Sequence, residues 1–158
     1  MKKYINNIWK ITIANILILD MLVGCANDNK VVLTGSAIRE YVISYFPDSI
    51  VIENKNLQTG ESFIGTYYKI NGEYYRSVRS LEGEQELRLF FSLKDTVRTF
   101  DVDLPFNYLE TNKKIGENLY EYSVIYTRES GIPAKSYQYD STYTIKKIIE
   151  PELVEYTP

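Results

Sequence analysis

Apolar and polar residues alternate with a period of two along most of this chain, the spacing of strands that bury one face. The clearest unit is a hairpin, in which 63–70 and 73–80 are joined by Asn71-Gly72, a pair that accepts positive φ at both central positions of a type I′ turn. In that register Tyr68 faces Tyr75 and Tyr67 faces Arg76, an aromatic pair and a cation-π contact each worth about a kcal/mol or less. Leu87, Leu89, Phe91 and Leu93 then alternate with Arg88, Phe90, Ser92 and Lys94, which predicts a strand with one wholly apolar face. A turn at Lys94-Asp95 leads to its predicted hairpin partner over 97–104, and 107–116 reads as a loop. A long strand is predicted over 118–128, with Tyr120, Tyr122, Val124 and Tyr126 on one face. Gly131-Ile132-Pro133 turns the chain, and 137–149 returns as one strand that Pro151 ends.

Nearer the start, Ser36 has the chemistry of an N-cap, and Ala37, Ile38, Tyr41, Val42 and Tyr45 recur at helical spacing before Phe46-Pro47-Asp48 stops the run. The spacing predicts a helix; the β-branched Val42 and Ile43 support the competing reading, a strand over 41–46. A short strand over 49–53 follows. About seven strands joined mostly by short turns give a mainly β fold class: an antiparallel sheet, as a curled sheet, barrel or sandwich, with one short N-terminal helix.

The first residues follow other rules. Lys2, Lys3 and Lys10 precede an apolar stretch from Ile11 to Val23 that is shorter than the ~20 residues of a membrane span and has the form of an export signal. It closes on Leu22-Val23-Gly24-Cys25, which resembles the lipobox of bacterial lipoprotein precursors. The resemblance implies a diacylglycerol thioether on Cys25, cleavage before it and acylation of the new amino group. It divides the chain into a signal peptide (1–24), a lipidated tether (25–30) and a single β-rich domain (31–158). Two acyl chains hold a domain at a bilayer where one binds only marginally. Asn15 and Asp20 are polar within the apolar stretch, and a carboxylate there opposes insertion by about 2.5 to 3.5 kcal/mol. Cys25 is the single cysteine, so no disulfide forms within the chain. Ala26 after it points to the outer membrane or cell surface rather than the inner membrane.

Charge and composition narrow the chemistry. The net charge is −3, and without residues 1–24 it is about −5, which disfavours nucleic acid as a partner because phosphate binding needs clustered Lys and Arg. Histidine is absent and the cysteine is taken by lipid, which excludes Ser-His-Asp and Cys-His catalysis and the common zinc sites. No cofactor or metal is expected beyond the covalent lipid. The 15 tyrosines support strands first and recognition second.

Among candidate binding residues, Tyr120, Tyr122 and Tyr126 offer an aromatic platform for sugar rings or a protein, as do Tyr67 and Tyr74 on the hairpin; the alternative is that they pack as core against Tyr139 and Tyr143. Asp101 and Asp103 share a strand side, and Glu82, Glu84 and Glu86 make an acidic turn, both read as solvated surface. Residues 38–52, IREYVISYFPDSIVI, resemble the opening helix and strand of PepSY-like domains, exported modules implied to regulate partners. The expectation is therefore a non-catalytic, lipid-anchored binding protein of the bacterial cell envelope, with the membrane as one partner and an envelope protein or glycan as another. A lipocalin-like small-molecule carrier is the alternative, and a carboxylate-based glycan hydrolase the third.

Overall fold

A computed structural model describes residues 29–79, 83–100, 108–126, 133–151 and 154–158. The lipobox, Asp101, Asp103 and Glu82 lie outside them.

The first sheet is a meander of six antiparallel strands: β1 (Lys30–Thr34), β2 (Arg39–Phe46), β3 (Ser49–Asn56), β4 (Ser62–Ile70), β5 (Glu73–Arg79) and β6 (Gln85–Phe91). The second repeats the plan with β7 (Thr96–Phe100), β8 (Tyr108–Gly116), β9 (Leu119–Tyr126), β10 (Pro133–Tyr139), β11 (Ile145–Ile149) and β12 (Glu155–Tyr156). Val31–Pro158 form one unit. The sheets face each other, and their inner faces share one aromatic-rich core, with Phe91 against Tyr139 (centroids 4.9 Å apart) and Tyr41 against Tyr156 (5.0 Å). Along one edge Thr34 and Thr157 exchange two backbone hydrogen bonds of 2.9 and 3.1 Å, joining β1 to the end of the second sheet.

The mainly β, antiparallel class holds, and so does the hairpin. Tyr67 pairs with Arg76 and Tyr68 with Tyr75, and Asn71 and Gly72 take φ of 52° and 83°, as the turn requires. The predicted N-terminal helix does not form. Residues 39–46 are β2, paired along its whole length with β3 from Arg39↔Asn56 to Phe46↔Ser49. Tyr41, Ile43 and Tyr45 carry the inner face, so the pattern that fits a helix also fits period two, and β-branching with a long partner decides for the strand. The helix implied by the PepSY-like resemblance over 38–46 is absent for the same reason.

Three further expectations change. The segment read as a loop, 107–116, is largely β8, whose inner positions include Glu110 and Asn112; a strand with polar residues on its inner face lacks the apolar alternation by which strands are recognised. The long return strand over 137–149 is β10 and β11 with a turn between them. There the Asp140 carboxylate accepts the N–H groups of Thr142 and Thr144 at 2.9 and 3.0 Å, and Tyr143 takes a positive φ of 64°. Finally, β6 and β7 are not a hairpin: residues 92–95 cross from one sheet to the other, and Ser92 is anchored by its N–H to the Tyr139 hydroxyl (3.2 Å) and by its own hydroxyl to Glu73 (2.7 Å).

Candidate functional site

A bulge in β6 decides what faces inward. Tyr74 pairs with Phe91 and Tyr75 with Leu89, leaving Phe90 as the extra residue, so Phe90 and Phe91 both join the core. Before the bulge the expected apolar face is not the one that lines the space between the sheets, although Leu89 is buried. Leu87 is 56% exposed, whereas Arg88 lines a space between the sheets. The pleat brings Arg76 and Val78 from β5 to the same side. Opposite them stand Glu110 of β8, Tyr122 and Val124 of β9, and Lys135 and Tyr137 of β10.

These walls border a space of about 340 Å³ that is open to solvent on one side, at the lower end of the range for small-molecule sites. A second space of about 130 Å³ adjoins it, walled partly by Asn54 and Tyr67 and sharing Arg76, Lys135 and Tyr137 with the first. The apolar part of the wall is already packed: the rings of Phe90 and Tyr122 lie 3.9 Å apart, and those of Phe90 and Tyr137 5.4 Å apart. Such a wall presents a fixed surface to a ligand.

The polar part is cationic in a chain whose net charge is negative. Arg76 and Arg88 are directly opposite each other in the β5–β6 register, a like-charge pairing that disfavours the sheet. Arg88 is ion-paired with Glu86, while Arg76 lies 6.0 Å from the Tyr67 ring centroid and forms no ion pair among the described residues. Lys135 sits over the Tyr41 and Tyr137 rings at 4.6 and 5.3 Å, donates to the Tyr41 hydroxyl at 2.7 Å and pairs with Glu150 at 3.5 Å. Burial lowers the Lys135 ammonium below the ordinary lysine value, Glu150 opposes that, and the charges of Arg39 and Arg76 add to it. Glu110 is the carboxylate in the wall. Burial raises its pKa, against a hydrogen bond from Tyr122 and the charges of Arg88 and Arg98.

Behind Lys135, Glu150 ties the two sheets together. It accepts from Arg39 at 3.1 Å, from the Tyr156 hydroxyl at 3.3 Å and from the Tyr41 hydroxyl. Burial pushes its pKa up, but the Tyr41 hydrogen bond together with Lys135 and Arg39 holds it below the usual carboxylate value. No buried side-chain nitrogen or oxygen among the described residues lacks a partner, so this seam is satisfied as it stands.

No known protein family, curated protein or solved structure matches this chain. The site therefore rests on its own geometry.

Of the residues singled out in the sequence, Tyr122 lies in the pocket wall and is 2% exposed, while Tyr67 borders the smaller space and is also buried. Tyr74 is core, packed against Tyr143 with centroids 5.0 Å apart. Tyr120 is partly buried and stacks on Tyr139 at 6.0 Å. Tyr126 ends β9, and its side chain lies outside the described residues. Tyr67, Tyr74 and Tyr122 are thus buried and Tyr120 partly so, the placement that the core alternative expects of them. The sequence reading passed over Arg88, Glu110 and Lys135, and took Arg76 only as a partner for Tyr67. One signal was available: with Tyr67 fixed as an inward residue, the hairpin register also directs Arg76 inward.

Proposed function

We propose that this chain is a non-catalytic, lipid-anchored binding protein of the bacterial cell envelope, held by acylated Cys25, that carries a small molecule between its two sheets. The observation that supports the carrier form is the space of about 340 Å³ walled by aromatic rings and convergent charges. An exposed aromatic docking face has less support, because Tyr67, Tyr74 and Tyr122 are buried. Glycan hydrolysis needs two carboxylates facing one cleft; the walls of this space contribute Glu110, and Glu150 is engaged in the seam behind it.

Two measurements test the reading. Cys25→Ser should move the protein out of the detergent phase on phase partitioning, and unchanged partitioning would overturn the lipid anchor. Native mass spectrometry of the purified protein should show a bound small molecule that is released on denaturation. Its absence, together with failure of every member of a small-molecule panel to bind, would overturn the carrier.

A further inference from the structure

The cations of the inter-sheet space are arranged against the ordinary preferences of a sheet. Arg76 and Arg88 share a face and a register position, although like charges directly opposite one another destabilise a pair of strands. Lys135 approaches from the other sheet and lines both spaces with Arg76. Its partner Glu150 is shared with Arg39, so the carboxylate does not neutralise Lys135 alone. Local choices that oppose the fold are expected at functional sites.

We infer that the pocket takes a small organic carboxylate with an apolar, preferably aromatic, body: the carboxylate sits among Arg76, Arg88 and Lys135, and the body lies against Phe90, Tyr122 and Tyr137. This rests on the carrier reading above and names its ligand class. Guanidinium forks match a carboxylate with paired hydrogen bonds, and Lys135 adds a compact charge from the opposite sheet. The neighbouring carboxylates set the charge of the guest. Glu86 on Arg88, Glu110 across the space and Glu150 behind Lys135 stand against four cations once Arg39, which shares Glu150, is counted with Arg76, Arg88 and Lys135, leaving a surplus of one charge, suited to a single anionic head rather than a polyphosphate. Glu110 also disfavours a second negative group at its own end of the space. The packed rings offer apolar surface to the remainder of the molecule without having to open.

The test compares naphthaleneacetate with naphthaleneacetamide, which share a body and differ in charge. Both are titrated calorimetrically into the full-length acylated protein in lipid nanodiscs, with empty nanodiscs as the blank. The acid should bind about tenfold or more tighter than the amide, the scale of a charge-assisted contact, and its affinity should fall with added salt. Arg76→Gln should weaken the acid about tenfold and leave the amide unchanged. Equal affinity of acid and amide would overturn the anionic class while leaving the carrier standing. Binding of neither, at concentrations up to about millimolar, would overturn this inference, and the carrier would then stand or fall on native mass spectrometry and the wider panel. If Arg76→Gln fails to fold, the comparison of the two probes on the native chain still decides.

Discussion

At one end of the inter-sheet space Tyr74, Phe91, Tyr139 and Tyr143 interlock, with centroid distances from 4.9 to 6.5 Å. At the other end Arg76, Arg88, Glu110 and Lys135 face a cavity. The same strands build both ends: β5 supplies Tyr74 and Arg76, β6 supplies Phe91 and Arg88, and β10 supplies Tyr139 and Lys135. The comparison separates two jobs. The aromatic end gains its free energy from burial, about 1.5 to 3 kcal/mol for each large side chain. The charged end gives up stability to the like-charge pair and to the partly buried ammonium. Substitutions at the two ends should therefore differ widely in size, large losses at the aromatic end and a near-zero change at Arg76.

The largest effect belongs to the aromatic end. Phe91 is fully buried and touches the rings of Tyr67, Tyr74 and Tyr139, so Phe91→Ala leaves a cavity that its neighbours cannot fill. A loss of about 3 to 5 kcal/mol is expected in urea unfolding. A loss below about 1 kcal/mol would mean that this end repacks freely and is no core.

Next is the seam. Glu150→Ala removes the acceptor for Arg39, Tyr41, Tyr156 and Lys135 at once and should cost about 3 kcal/mol, near the lower end for breaking a buried pair because Arg39 is half exposed. The pH dependence has a definite sign. The folded pKa of Glu150 lies below its ordinary value, so its contribution is complete above the unfolded value of about 4.3 and is lost as the pH falls through the folded one. Glu150→Gln should flatten the acid limb of the stability curve, and an unchanged acid limb would remove Glu150 from its cause.

A smaller effect tests the best-read element. Gly72→Val forces a β-branched residue to a φ of 83° with open space around it, so backbone strain is the only penalty, about 1 to 3 kcal/mol. No loss of thermal stability would show that the Asn71-Gly72 turn relaxes into another form.

How far the sequence could be read follows the same division. The β4–β5 hairpin was legible to the residue because its turn has a local code, and the inward face of β9 because its tyrosines alternate. The core end obeys burial, and burial leaves a pattern. The charged end leaves none: β8 lacks apolar alternation because Glu110 and Asn112 face inward, and Arg88 lies between Leu87 and Leu89, where the local pattern marks only the leucine side as apolar. The bulge at Phe90, which lets two successive residues enter the core, is set by pairing with β5 and has no local code. The helix expected over 36–45 failed because propensity yields to a partner strand. A cavity wall is legible only once the register of its neighbours is known.

The smallest expected change is the most discriminating. Arg76 is exposed at the cavity rim, opposite Arg88, and its described contact is the Tyr67 ring. Arg76→Gln gives up a cation-π contact worth about 0.5 to 1 kcal/mol and relieves a repulsion of similar size. The net change should lie within about 0.5 kcal/mol of zero, a shift of a couple of degrees in Tm. Thermal unfolding followed by circular dichroism measures it. A residue kept for stability would show a clear drop, and one kept for a ligand would show none, the balance expected where a binding site trades stability for function. A drop of more than about 1 kcal/mol would make Arg76 a structural residue and join the charged end to the aromatic one as parts of a single core.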